Sequence, residues 1–248
     1  MNEPTAPPPA PPGGPPPGGS SSGGTPPGGA APPRPGNAWE RRGELGFLEG
    51  LAGGLRGFVT SPGATFAETR TSGDLGSPLL FAILVAVVTG VIGQIWAMLV
   101  GSSMLTMLPA EFREGLGAFM VASGGGLVVG LFVVPIVTLI WIFIWGAIVH
   151  VLLVRVGGLD SSEAGFEGTL RVVAYSSVGN LAKLVPVVGG LISVVWMIFL
   201  MIIGLTRIHG TSEGRAVAAV LLPVVLCCVC GMGLVMVGFG AVMSGWSN

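Results

Sequence analysis

Few residue types in this chain invite chemistry: two histidines, three cysteines, one tyrosine and a short polar run inside an apolar stretch. His150 and His209 reach the same side of a membrane if the apolar segments that carry them run in the same direction, and Asp160, Glu163 and Glu213 then lie at similar depth. Two imidazoles with carboxylates suit a divalent metal or a titration near neutral pH. The competing role is structural, since Arg207 and His209 complement the C-terminal dipole of a helix that ends there. The expectation is therefore no metal site and no cofactor, with His150 and His209 as the candidates for one. Cys227, Cys228 and Cys230 lack the second pair that a zinc site needs, so they read as small hydrophobes packed inside a helix. Ser176, Asn180 and Lys183 stand at i, i+4 and i+7, which on a helix makes one polar stripe. Such a stripe serves either a substrate path or interhelical hydrogen bonding, with Lys183 snorkelling to the outer interface. Tyr175 is expected to face the helix bundle, where neighbouring helices can supply a partner for its hydroxyl.

No reaction gathers these residues. His-Glu-x-x-His, a Walker loop and Gly-x-Ser-x-Gly are all missing, and no acid lies deep in an apolar run to serve a protease or a proton relay. The chain is expected not to be an enzyme. Apolar residues make up 51% of its 248 residues and charged residues 9%, with mean hydropathy +0.82. A soluble domain carries about 25% charged residues, so this composition cannot cover a soluble surface. Eleven of the 23 charges fall in residues 1–76. With net charge −1 and no Lys/Arg cluster there is no field for nucleic acid. The implied medium is the lipid bilayer.

The elements that must position these residues follow from the charge pattern. Residues 1–37 hold 14 of the 20 prolines and three Pro-Pro-Gly-Gly units, without an h-region, so they form a disordered Pro/Gly/Ser-rich tail. Its roles are solvated spacer or proline-rich ligand. Residues 38–76 alternate Trp39, Phe47, Leu48, Leu51, Leu55 and Phe58 with Glu40, Arg41, Arg42, Glu44 and Arg56. That pattern suits an amphipathic interfacial segment with Trp39 at headgroup level, although five glycines between 46 and 57 weaken the helix. Ser61-Pro62-Gly63 breaks it. Residues 77–248 then supply spans at about 79–101, 127–154, 172–186, 187–206 and 216–243. The charge-free run 115–154 offers a hairpin and six spans as the alternative. With five spans and the tail inside, nine basic residues (Arg34, Arg41, Arg42, Arg56, Arg70, Arg155, Arg171, Arg207 and Arg215) share the cytoplasmic side against Arg113 and Lys183 outside. The fold class is an all-α integral membrane protein, a five-helix bundle in the cell membrane with its C-terminus outside. Gly126 and Gly130, and the glycines 231, 233, 238 and 240, favour close helix packing and homo- or hetero-oligomers.

Several stretches also carry a family resemblance: Ser61-Pro62-Gly63-Ala64-Thr65-Phe66, Asp74-Leu75-Gly76-Ser77-Pro78-Leu79, Gly157-Gly158, Thr169 to Ser176 with Tyr175, Gly204 to His209-Gly210, and Gly214-Arg215-Ala216. Together they resemble a bacterial member of the Yip family, the Ypt/Rab-interacting membrane proteins. Residues 74–79 are similar to its Asp-Leu-Tyr-Gly-Pro motif, with Gly76 and Ser77 in place of the Tyr-Gly pair. The resemblance implies a five-helix membrane domain behind a cytosolic N-terminus, no catalytic residue, and a membrane-organising or adaptor role with an unknown protein partner. A small-solute or ion permeation unit built on the polar third helix is the alternative. Asp74 or Ser77 is expected to cap the first span, with Pro78 in its opening turn.

Overall fold

The computed structural model describes residues 34–106, 126–160, 162–186 and 188–246. Most of the tail therefore lies outside the described residues, as do Arg113, Gly124 and Gly125. Among the described residues there is no strand. Three short helices lead: α1 (Arg42–Leu45), α2 (Phe47–Thr60) and α3 (Pro62–Glu68). The long elements follow as α4 (Gly76–Thr106), α5 (Gly126–Arg155), α6 (Gly165–Ser176) with its 3-10 continuation (Ser177–Leu184), α7 (Gly189–His209) and α8 (Glu213–Trp246).

Among the described residues, four helices are long and apolar enough to cross a membrane, over Gly76–Trp96, Leu131–Arg155, Gly189–His209 and Glu213–Gly238. Residues 126–155 form one helix with Pro135 inside it, so no hairpin of two spans divides them. A Schellman cap ends α5. Gly158 N–H bonds Leu153 O at 2.8 Å, Gly157 N–H bonds Val154 O at 3.0 Å, and Gly157 takes φ +67°, a backbone that a side chain disfavours.

The α6 segment differs from the other long elements. It is α-helical for 12 residues and 3-10 for eight more. At about 1.5 Å per α residue and 2.0 Å per 3-10 residue the two parts reach roughly 34 Å. This short segment is the centre of the bundle, packed by α4, α5 and α7. Every residue from 168 to 179 is buried. Because protein surrounds it, it can hold Thr169, Arg171, Ser176 and Ser177, which a lipid-facing helix could not.

Its two ends fix the axis of the fold. Arg171 Nη2 donates to Asp74 O at 3.1 Å, beside the start of α4, while Trp96 Nε1 donates to Leu184 O at 3.2 Å, 20 residues into that helix. The first end also collects Arg34, which donates to Arg207 O at 2.9 Å. Arg215 joins there by donating to Gly157 O at 2.7 Å.

Residues 34–75 form a cap on this arginine-bearing end. α2 is helical despite its glycines because they sit in the seam: a Cβ on Gly54 would stand 3.1 Å from Trp39 Cβ. Trp39 itself is fully buried and donates to Ser77 O at 2.7 Å. It is not free to anchor in headgroups as expected, since its indole is part of an aromatic core with Phe58, Phe66, Phe81 and Tyr175. Leu45, Phe47, Leu48 and Val59 stay exposed on the cap, Phe47 with its ring edge-on to Trp39.

Two packing expectations are corrected. Cys227, Cys228 and Cys230 are exposed on α8, not packed within the bundle. Gly231, Gly233 and Gly238 have nothing within 4 Å of an added Cβ among the described residues. α8 packs on α5 and α7, and among its described residues Ala216, Ala219 and Val220 are buried while Val225, Val229 and Met232 are exposed.

Candidate functional site

The most elaborate polar constellation lies where the cap meets the bundle. Arg171 is 1% exposed, and so is the Glu40 side chain that it meets at 3.0 Å from Nη1 to Oε1, across 131 residues of sequence. Arg171 Nη2 reaches Glu167 Oε1 at 2.6 Å and the Asp74 carbonyl at 3.1 Å. Glu40 Oε1 also accepts the Tyr175 hydroxyl at 3.1 Å. Its other oxygen accepts the backbone N–H of Asn37 at 3.2 Å and of Arg70 at 3.0 Å. All four acceptor sites of one carboxylate are thus used, which is what a buried charge requires.

Local sequence explains how each group arrives. Arg171 and Tyr175 are one turn apart on α6, so they present a single face. Glu40 sits in the turn before α1, pinned by Asn37, whose Oδ1 takes Glu40 N–H at 3.1 Å and whose Nδ2 donates to Thr69 Oγ1 at 3.0 Å. Tyr175 faces inward, stacked on Phe58 at 4.9 Å between ring centroids. Its hydroxyl partner comes from the cap instead of a small-residue helix. Gly204 admits this arrangement, because a Cβ there would stand 2.6 Å from Val172 Cγ1 and 3.0 Å from the Phe66 ring. Asp74 Oδ1 accepts the N–H of Gly76, the first residue of α4, at 2.9 Å, and Pro78 occupies that helix's opening turn. Ser77 is instead an acceptor twice, its carbonyl from Trp39 Nε1–H and its hydroxyl oxygen from Arg42 Nη1–H.

The histidines meet through a hydroxyl. His150 Nδ1 is 2.9 Å from Thr169 Oγ1, which is 3.0 Å from His209 Nε2, and His209 Nδ1 is 2.7 Å from Ser162 Oγ. Thr169 has one proton to give, so it donates to one ring and accepts from the other. The chain is ordered end to end. A shared threonine between the rings is the wrong geometry for a common metal, and among the described residues no group of three His, Cys, Asp or Glu could hold one. Gly210 closes α7 just after His209, in the left-handed conformation.

The polar stripe is not one face. Helix geometry changes from α to 3-10 after Ser176, so the i, i+4, i+7 register is lost. Ser176 is fully buried, Asn180 is half-buried with its Oδ1 accepting from Ser193 Oγ at 3.1 Å, and Lys183 is exposed. The cavity next to Asn180 is apolar apart from Thr138, Ser177 and Asn180, and neither Ser176 nor Lys183 lines it.

Sequence reasoning missed Glu40 and Arg171 as a pair. The one local signal was the Arg171–Tyr175 spacing on a segment too polar to face lipid. No curated protein and no solved structure matches the chain. A family model described as the Yip1 domain matches residues 56–235, which takes in Asp74, Arg171, Tyr175 and both histidines but leaves out Trp39 and Glu40. That stretch exceeds half of the chain's length, and the chain belongs to the Yip family of membrane proteins.

Proposed function

We propose that this protein is a non-enzymatic membrane adaptor whose working surface is the cap, residues 34–75, held on the cytoplasmic end of a five-crossing bundle. The observation that carries the reading is the buried Arg171–Glu40–Tyr175 cluster. It uses buried polar groups of the membrane domain to bind the chain's own N-terminal segment. A bundle that invests its interior this way presents a surface. That surface carries the exposed Leu45, Phe47, Leu48 and Val59. The length of α6 with its 3-10 extension, and the gathering of Arg34, Arg171, Arg207 and Arg215 at one end, support a fifth crossing with the cap inside and the C-terminus outside.

Crosslinking in native membranes followed by purification tests it. The parent is expected to retain a protein partner that Leu48→Glu loses at unchanged abundance. Equal capture by both, or solute flux through the purified chain in liposomes, would replace the adaptor reading. A reporter fused after Asn248 is expected outside; a cytoplasmic signal would remove the fifth crossing.

A further inference from the structure

A cavity of about 360 Å³ lies between α5 and α7, within the roughly 300–1,000 Å³ range of small-molecule pockets. The two helices pack on α6 from either side, and at one end Trp145 Nε1–H reaches Met201 Sδ at 3.3 Å. The floor is formed by Val173, Ser177 and Asn180. Val137, Trp141 and Val194 line the cavity and are each more than half exposed on membrane-crossing helices, so the opening faces acyl chains.

Three features describe what would fill it. No lining residue is charged, which favours a neutral occupant in a medium where a lone ion is costly. Ser177 lines the floor and its buried hydroxyl has no hydrogen-bond partner, so a turn of its χ1 toward the cavity would let it donate to an acceptor there. Asn180 spends its oxygen on Ser193, so its amide hydrogens are donors as well. On the wall, Trp141 and Trp145 stack at 6.0 Å and 14°, offering flat aromatic surface.

Depth narrows the choice. Ser177 lies six positions after Arg171 at the capped end and seven before Leu184 at the other. It is therefore near the middle of the crossing. A resident phospholipid keeps its ester and headgroup at the surface and brings only hydrocarbon to this level. We propose that the cavity binds an uncharged lipid of the quinone type, its carbonyl oxygen accepting from Ser177 and Asn180 and its ring lying against Trp141. This goes beyond the adaptor reading and does not depend on it.

The test titrates the purified full chain in nanodiscs with decylubiquinone and reads quenching of tryptophan fluorescence. Saturable binding is expected. Ser177→Ala should weaken it about five- to tenfold, the worth of one hydrogen bond, yet unfold no earlier than the parent, because the lost hydroxyl had no partner. Ser177→Leu should fill the floor and abolish saturable quenching. Unsaturable quenching in the parent, equal affinity in Ser177→Ala, or a co-purified phospholipid chain that the quinone does not displace would overturn the proposal.

Discussion

Replacing Glu40 by Ala removes one carboxylate and strips four donors of their acceptor: Arg171, Tyr175 and the backbone N–H groups of Asn37 and Arg70. Breaking a buried pair from one side typically costs about 3–5 kcal/mol, because the surviving charge is left uncompensated. Here Arg171 keeps Glu167 at 2.6 Å and the Asp74 carbonyl at 3.1 Å, which places the charge contribution near the lower limit. The Tyr175 hydroxyl adds roughly another 1 kcal/mol, giving about 4 kcal/mol in total. A loss of that size need not unfold the bundle, since α4, α5, α7 and α8 keep their own contacts. It should open the cap. Hydrogen exchange in nanodiscs is expected to lose protection over residues 34–75 while the cores of α5 and α7 stay protected. Glu40→Leu combined with Arg171→Met should recover about 2–3 kcal/mol relative to the sum of the two single losses, the coupling expected of groups in contact. Unchanged cap protection in Glu40→Ala, or strict additivity in the double variant, would refute the claim that this pair fastens the cap.

Asp74→Ala should cost only about 1 kcal/mol in thermal unfolding, the value of one helix-start acceptor, because Arg171 uses the Asp74 backbone and not its side chain. A variant of unchanged stability that no longer retains a partner would show that the carboxylate is a docking group instead. Thr169→Val should leave His150 and His209 each short of a partner and cost about 2–4 kcal/mol, whereas Thr169→Ser keeps the bridge and should melt close to the parent. Equal melting of the two variants would mean that the hydroxyl chain carries no stability. Gly204→Ala should cost about 1–3 kcal/mol by overpacking, since its methyl would meet Val172 and the Phe66 ring; a neutral result in a denaturation series would indicate that α3 and α7 can separate freely.

The long apolar runs were legible because lipid imposes a composition rule that needs no knowledge of partners: α4, α5, α7 and α8 all enclose or closely follow the expected spans. The α6 segment was visible only as a shortened, too-polar run. Its start at Gly165 was hidden because Glu167 pairs with Arg171 and Arg171 is buried against the cap, a fact that no window of sequence records. The same reason defeats the polar stripe. Counting by helical turns presumes one helix type, and the change to 3-10 after Ser176 rotates Asn180 and Lys183 to other surroundings. The alternation of apolar and charged residues in 38–76 suits an amphipathic segment, yet the cap buries the Glu40 side chain and exposes Leu48. The segment's apolar residues had two available destinations, lipid or bundle, and the alternation of residue types is identical for both.

That ambiguity gives the Arg171–Glu40 pair its physical sense. Leu51, Leu55 and Phe58 pack on the core, but an acyl chain is as apolar as a leucine and competes for the same surfaces. Hydrophobic contact alone would let α2 slide between the bundle and the leaflet at small cost. A carboxylate that accepts four hydrogen bonds, one from a guanidinium buried to 1%, has no equivalent in hydrocarbon. The pair contributes little net stability against a well-packed apolar replacement. It distinguishes one register of the cap from every register that lipid would accept, and Trp39 on the Ser77 carbonyl reinforces the same choice. On this account the Glu40→Leu and Arg171→Met double variant should stay folded yet lose its single cap position. It should show broadened exchange over residues 34–75 where the parent shows one protected state.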